Sequence, residues 1–133
     1  MNTFDPDKFE QQSHPYTIKR LSPSIGAELL DLDLKKPLSE DLKDEIYQAL
    51  LVYKVIFFRD QDLSIEEHLE FANNFGELEI HPFTNNDKQY PEVLKITHNE
   101  KNKGRENLWH SDVTWMLEPS LGFILRMKEA PKV

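Results

Sequence analysis

Cysteine is absent from the 133 residues. Its absence excludes disulfides and thiolate metal ligands and suits a reducing compartment. Positive charge is scarce, with 16 Lys and Arg set against 24 Asp and Glu for a formal charge of −8. So acidic a chain repels phosphate backbones and anionic lipid, so neither nucleic acid nor a membrane surface is an expected partner. A long apolar run is missing too. The longest, Ala49 to Phe58, is interrupted by Lys54 and is far too short to span a bilayer. The opening Met-Asn-Thr-Phe-Asp-Pro-Asp has neither the basic nor the apolar region of a secretory signal. The expected location is cytoplasmic.

What is present argues for a folded core. Apolar residues make up 38% of the chain, and eight Phe, four Tyr and two Trp bring large buried area per residue. The length suits one domain. Residues 1–15, polar and holding Pro6 and Pro15, are expected to form a loose leader, and residues 16–133 to belong to a single domain.

Residue patterning predicts an α+β fold with its helices early and its strands late. Tyr16-Thr-Ile-Lys-Arg-Leu alternates as a half-buried strand does, and Ala27 to Leu34 predicts a second strand after the turn-rich Ser22-Pro-Ser-Ile-Gly. Ser39 is placed to cap a helix with Glu40 and Asp41 in its first turn, and Leu42, Ile46, Ala49, Leu50 and Tyr53 share one face. Val55-Ile-Phe-Phe predicts a central strand covered on both faces. Ser64-Ile-Glu-Glu is a capping box opening a helix to Phe75, with Gly76 as its stop. Further strands are expected at Leu78 to His81, Val93 to Thr97 and Gly122 to Lys128.

Chemistry concentrates in the histidines. Five His among 24 acids in 133 residues give about one His-x-acid pair by chance. Three occur: His68/Glu70, His98/Glu100 and His110/Asp112. The first pair lies in a predicted helix, where residues two apart diverge, so it reads as a solvated face. The second sits where a strand yields to a polar loop. The third lies in Leu108-Trp-His-Ser-Asp-Val-Thr-Trp. In a strand, His110 and Asp112 would share a face about 6.6 Å apart and could converge on a cation, with Trp109, Ser111 and Val113 facing the core. Chemistry alone leaves open whether the pair binds a metal or is an ordinary polar face, because two ligands make a weak site.

These residues resemble the taurine/2-oxoglutarate dioxygenases, a family that includes alkylsulfatase-like and aryloxyacetate-type members. The resemblance runs from about Tyr16 to Pro131. It is carried in order by Ile25-Gly-Ala-Glu, Val55-Ile-Phe-Phe-Arg-Asp-Gln, Phe75-Gly-Glu-Leu with His81-Pro82, Trp109-His-Ser-Asp-Val-Thr, and Pro119 through Pro131. It implies a double-stranded β-helix, a jelly-roll variant, buttressed by helices near the N-terminus. It also implies Fe(II), 2-oxoglutarate as co-substrate and O2, acting together to hydroxylate a small anionic substrate such as a sulfonate or sulfate ester.

By the same resemblance His110 and Asp112 look like the first His and the carboxylate of a two-His, one-carboxylate triad, a set that leaves positions open for the co-substrates. His81 looks like a substrate-contacting His, suited to an anionic head group. Asn107 and Val113 are further substrate-pocket candidates. Where taurine enzymes carry a Tyr three residues after the substrate His, this chain has Thr84, and Glu106 stands where they carry an Asn. The family's second metal His, its oxoacid-clasping Arg and its 2-oxoglutarate-binding Thr have no counterpart, so no cofactor-binding residue is assigned. The chain is therefore expected to be an N-terminal part that is inactive alone. The alternative is a non-catalytic interaction module or half of a two-chain protein. Relatives commonly self-associate, making a homo-oligomer of the full-length form a further expectation.

Overall fold

The computed structural model describes residues 5–82, 88–99 and 109–130, and the chain divides into two compact units, Met1–Glu77 and Leu78–Val133. The first unit holds every helix and strand of the described residues. In order these are α1 (Pro6–Glu10), β1 (Thr17–Arg20), β2 (Ala27–Leu30), α2 (Glu40–Tyr53), β3 (Ile56–Phe57) and α3 (Ile65–Asn73).

The strands form one sheet in the order β1-β2-β3. β1 and β2 are antiparallel, pairing Thr17 with Leu30 and Lys19 with Glu28. β2 and β3 are parallel, pairing Ala27 with Ile56 and Glu28 with Phe57, and α2 supplies the crossover that parallel neighbours require. The two strands meet where Gly26 N donates to Tyr53 O at 2.8 Å and Ala27 N to Val55 O at 3.1 Å. Gly26 takes φ +91°, and an added Cβ there would stand 3.6 Å from Leu21 Cβ and 3.9 Å from Phe57 Cε2.

Local signals explain the helices. The Ser39 hydroxyl accepts from Leu42 N at 3.2 Å and opens α2, whose apolar face buries Ile46, Ala49 and Tyr53. Both halves of the Ser64/Glu67 capping box are made: Glu67 N donates to Ser64 Oγ at 3.1 Å and Ser64 N to Glu67 Oε2 at 2.6 Å. α3 stops at Asn73, two residues short of expectation. The Asn74 side chain closes it by donating to the carbonyls of Glu70 and Phe71, and Gly76 follows at φ +148°. Phe9, Tyr16, Ala27, Leu29, Leu34, Ile46, Ala49, Tyr53, Leu63 and Phe71 make one core.

Three expectations change in this unit. β2 ends at Leu30 rather than Leu34, because Asp31 takes φ +65° and turns the chain out of the sheet. The Val55 to Phe58 stretch contributes two strand residues at the sheet's edge, with Val55 and Phe57 exposed, whereas β2 occupies the centre. Residues 5–15, expected to be loose, are docked: Asp5 caps α1, and Phe9 is buried.

The second unit contains no helix or strand among its described residues. The strands expected at 78–81, 93–97 and 122–128 are not formed there. Their apolar side chains, Ile80, Leu94, Ile96, Phe123 and Leu125 among them, are exposed. An alternating segment becomes a strand only when a neighbour accepts its backbone hydrogen bonds, and no such ladder is present among these residues.

Candidate metal centre

In the second unit, the backbone around 110–112 is not a strand. It is irregular through Ser111 and enters a turn at Asp112, closed by Met116 N donating to Val113 O at 3.0 Å. Val113 adopts φ +48°, a left-handed conformation that β-branched residues avoid, and its side chain is buried. Trp109 is fully exposed, so it does not anchor the segment as strand alternation predicts. The turn breaks the two-residue period on which that expectation rested.

The turn nevertheless brings His110 and Asp112 together. His110 Nε2 lies 3.2 Å from Asp112 Oδ1, and both side chains are more than half exposed. A neutral imidazole nitrogen and a carboxylate oxygen are hard-to-borderline donors that suit a divalent first-row metal with open coordination positions. The donor chemistry fits a ferrous ion, with His110 and Asp112 as the residues that would hold it. Among the described residues no cluster of three His, Cys, Asp or Glu is gathered.

The other predicted residues are placed as follows. His81 is half-buried in an irregular segment, and Val113 is buried beside the pair. Asn107, Thr84, Glu100 and Glu106 lie outside the described residues. His98 is exposed, whereas His68 is half-buried on α3.

The first unit carries a polar cluster that residue patterning did not single out. Glu28, on the central strand, is buried, yet its carboxylate accepts from Lys19 Nζ at 3.0 Å and from Arg59 Nε at 2.8 Å. These hydrogen bonds, Lys19's first and Arg59's second, hold the Glu28 carboxyl below the usual carboxylate range despite its burial. Gln61 ties the same region: its side chain accepts from Leu34 N at 3.0 Å and donates to Leu32 O at 2.9 Å. The available signal was an acid inside the apolar run Ala27-Glu28-Leu29-Leu30, which calls for a cationic partner.

A family profile described as "Taurine catabolism dioxygenase TauD, TfdA family" matches residues 17–133, most of the chain. The chain belongs to this family. It is 34% identical over 101 residues to an alkylsulfatase of Acinetobacter baylyi, covering 74% of this chain and 31% of that protein. It is 32% identical over 127 residues to an alpha-ketoglutarate-dependent sulfate ester dioxygenase of Pseudomonas putida, covering 95% of this chain and 40% of that one. A crystal structure of a taurine dioxygenase from Burkholderia xenovorans superimposes with a TM-score of 0.53 at 39% identity, over 57% of this chain and 28% of that chain. This TauD/TfdA-family chain thus spans 31% and 40% of the length of the two sequence relatives. The match also contains both members of the His110/Asp112 pair. No helix among the described residues is long and apolar enough to cross a membrane.

Proposed function

We propose that this chain supplies two ligands of the iron site of an Fe(II)- and 2-oxoglutarate-dependent dioxygenase that hydroxylates a small anionic organic substrate, a sulfonate or sulfate ester. The observation that carries this is the approach of His110 Nε2 to within 3.2 Å of Asp112 Oδ1, inside a segment matched to the family. Two relatives named for sulfate-ester and alkyl-sulfate chemistry support the substrate class. In this reading α2 and α3 are the helices that buttress a double-stranded β-helix.

In this mechanism, Fe(II) with 2-oxoglutarate and O2 supplies the oxidising power for C–H hydroxylation. The chain's own residues set the stage. His110 would hold the ion through a ring nitrogen and Asp112 through its carboxylate, so that a ferrous ion there would keep a net positive charge toward an anionic oxoacid. The turn at 112–115 holds the carboxylate back toward the imidazole. His81 hydrogen-bonds a sulfonate or sulfate oxygen, and Val113 lines the substrate pocket. A location in the reducing cytosol suits a ferrous enzyme without cysteine.

The test is anaerobic titration of the chain with Fe(II), followed by calorimetry, for wild type, His110→Ala and Asp112→Ala. Each substitution should weaken binding by more than about tenfold, the loss that even outer-shell partners produce. Equal affinity in all three proteins would remove these two residues from the iron site.

A further inference from the structure

β3 is an edge strand, and its outer side is open among the described residues. Ala27 N donates to Val55 O in the parallel ladder, so alternation turns the Ile56 N–H and C=O away from β2. No strand of the described residues takes these two groups. Natural sheets guard such an edge with charged side chains, a proline or a bulge. β1, the opposite edge, is guarded in this way by Lys19 and Arg20. Val55-Ile-Phe-Phe carries no charge and no proline within its length.

The sheet face beside that edge is apolar as well. Leu21 is 45% exposed, Val55 41% and Phe57 38%. Leu21 and Phe57 flank Gly26, since a Cβ added there would stand 3.6 Å from the first and 3.9 Å from the second. Cations surround this patch. Lys54 and Arg59 stand at the two ends of the run, and Lys19 lies in the same register row as Phe57. Lys19 and Arg59 share the one buried carboxylate of Glu28. Even with Asp60 included, three cations here face two acids, in a chain whose formal charge is −8. The patch is basic on an acidic protein.

We propose that the free edge of β3 takes an added strand from a partner polypeptide, an extended apolar segment with a carboxylate at each end. Backbone pairing with Ile56 supplies affinity, and alternate apolar side chains cover Val55 and Phe57. The carboxylates meet Lys54 and Arg59 and set the choice of partner. A second copy of this chain is the wrong occupant. Pairing two β3 strands antiparallel brings two Lys54 and two Arg59 onto one seam, where like charges across strands repel.

The probe is the peptide acetyl-Glu-Val-Thr-Val-Thr-Val-Glu-amide, titrated into the nitrogen-15-labelled full chain. The Ile56 amide signal should shift and gain about tenfold protection from hydrogen exchange as the peptide saturates. A peptide with lysine at both ends should bind about fivefold more weakly. One N-methylated at its three central residues should give Ile56 no protection, because it cannot donate to the edge. An unmoved Ile56 amide at saturating solubility of the peptide, equal affinity for the lysine-ended peptide, or protection by the N-methylated one would overturn the proposal. So would a concentration-dependent dimer, seen by sedimentation, that protects Ile56 with no peptide present. These controls alter the peptide and leave the protein intact, so no variant has to fold.

Discussion

Arg59 donates through Nε to Glu28 Oε1 at 2.8 Å, fastening the loop after β3 to the central strand. The guanidinium also lies over the Phe57 ring at 5.4 Å, and Phe57 is the register partner of Glu28. Lys19, opposite Glu28 on β1, takes the second carboxylate oxygen. One acid thereby joins β1, β2 and the loop after β3 on the face turned away from the core.

That acid gives stability a defined pH dependence. The Glu28 carboxyl is lowered in the folded chain, first by the Lys19 hydrogen bond and then by that of Arg59. A lowered folded-state value means the contribution is present above the unfolded carboxylate range and lost as pH falls through the folded value. Urea midpoints should show Glu28→Gln less stable than wild type at about pH 7, with the gap narrowing as pH falls below the ordinary carboxylate range. A constant gap across that span would contradict the assignment.

Ser64 and Glu67 satisfy two donors at the start of α3. Replacing Ser64 by Ala leaves Glu67 N without its acceptor and should cost about 1 kcal/mol. Chemical denaturation measures this directly, and a loss under about 0.3 kcal/mol would mean that α3 is not held by its cap.

Ile46 is fully buried between α2 and the sheet. Ile46→Ala should destabilise the first unit by about 2–5 kcal/mol and Ile46→Val by about 0.5–1.5 kcal/mol. Denaturation followed by far-UV dichroism reports it, since the described helices all lie in that unit. Equal effects of the two substitutions would show that the site collapses around the missing atoms.

Lys54 ends α2 at φ +66°, a conformation that costs residues with a Cβ. Lys54→Gly should therefore raise stability by about 0.5–1 kcal/mol, visible as a higher thermal midpoint. A lower midpoint would show that the lysine side chain, which donates to Leu51 O, outweighs the backbone cost.

Legibility in the residue pattern was high wherever the determinant was local. Ser39 and Ser64 reach backbone donors only three residues away, so their caps could be read directly. Ile46, Ala49 and Tyr53 lie on one helical stripe whatever the rest of the chain does. Strand predictions held most fully where a partner was near: Thr17–Arg20 pairs with Ala27–Leu30 across a short turn, whereas only Ile56 and Phe57 pair across the α2 crossover. The equally apolar Gly122 to Lys128 is not paired in the described structure, because alternation specifies a face but not a neighbour.

For the site, the identities of His110 and Asp112, and their membership in the TauD/TfdA family, were legible as residue types in order. Their approach to 3.2 Å comes instead from a turn with Val113 at φ +48°, which no spacing rule for strands anticipates. The docking of residues 5–15 was hidden for a similar reason. His14 finds Glu45, 31 positions away in sequence, only after α2 has packed.

Composition and short-range order alone decided the acidic surface, the helix starts, the helical core stripe and the family. Tertiary structure decided which strand is central, that an acid sits buried beneath two cations, and that residues 5–15 dock through Phe9. Helix caps and periodic faces depend on atoms within a few residues of one another, whereas strand pairing and buried charge depend on groups that only chain folding brings within hydrogen-bond reach.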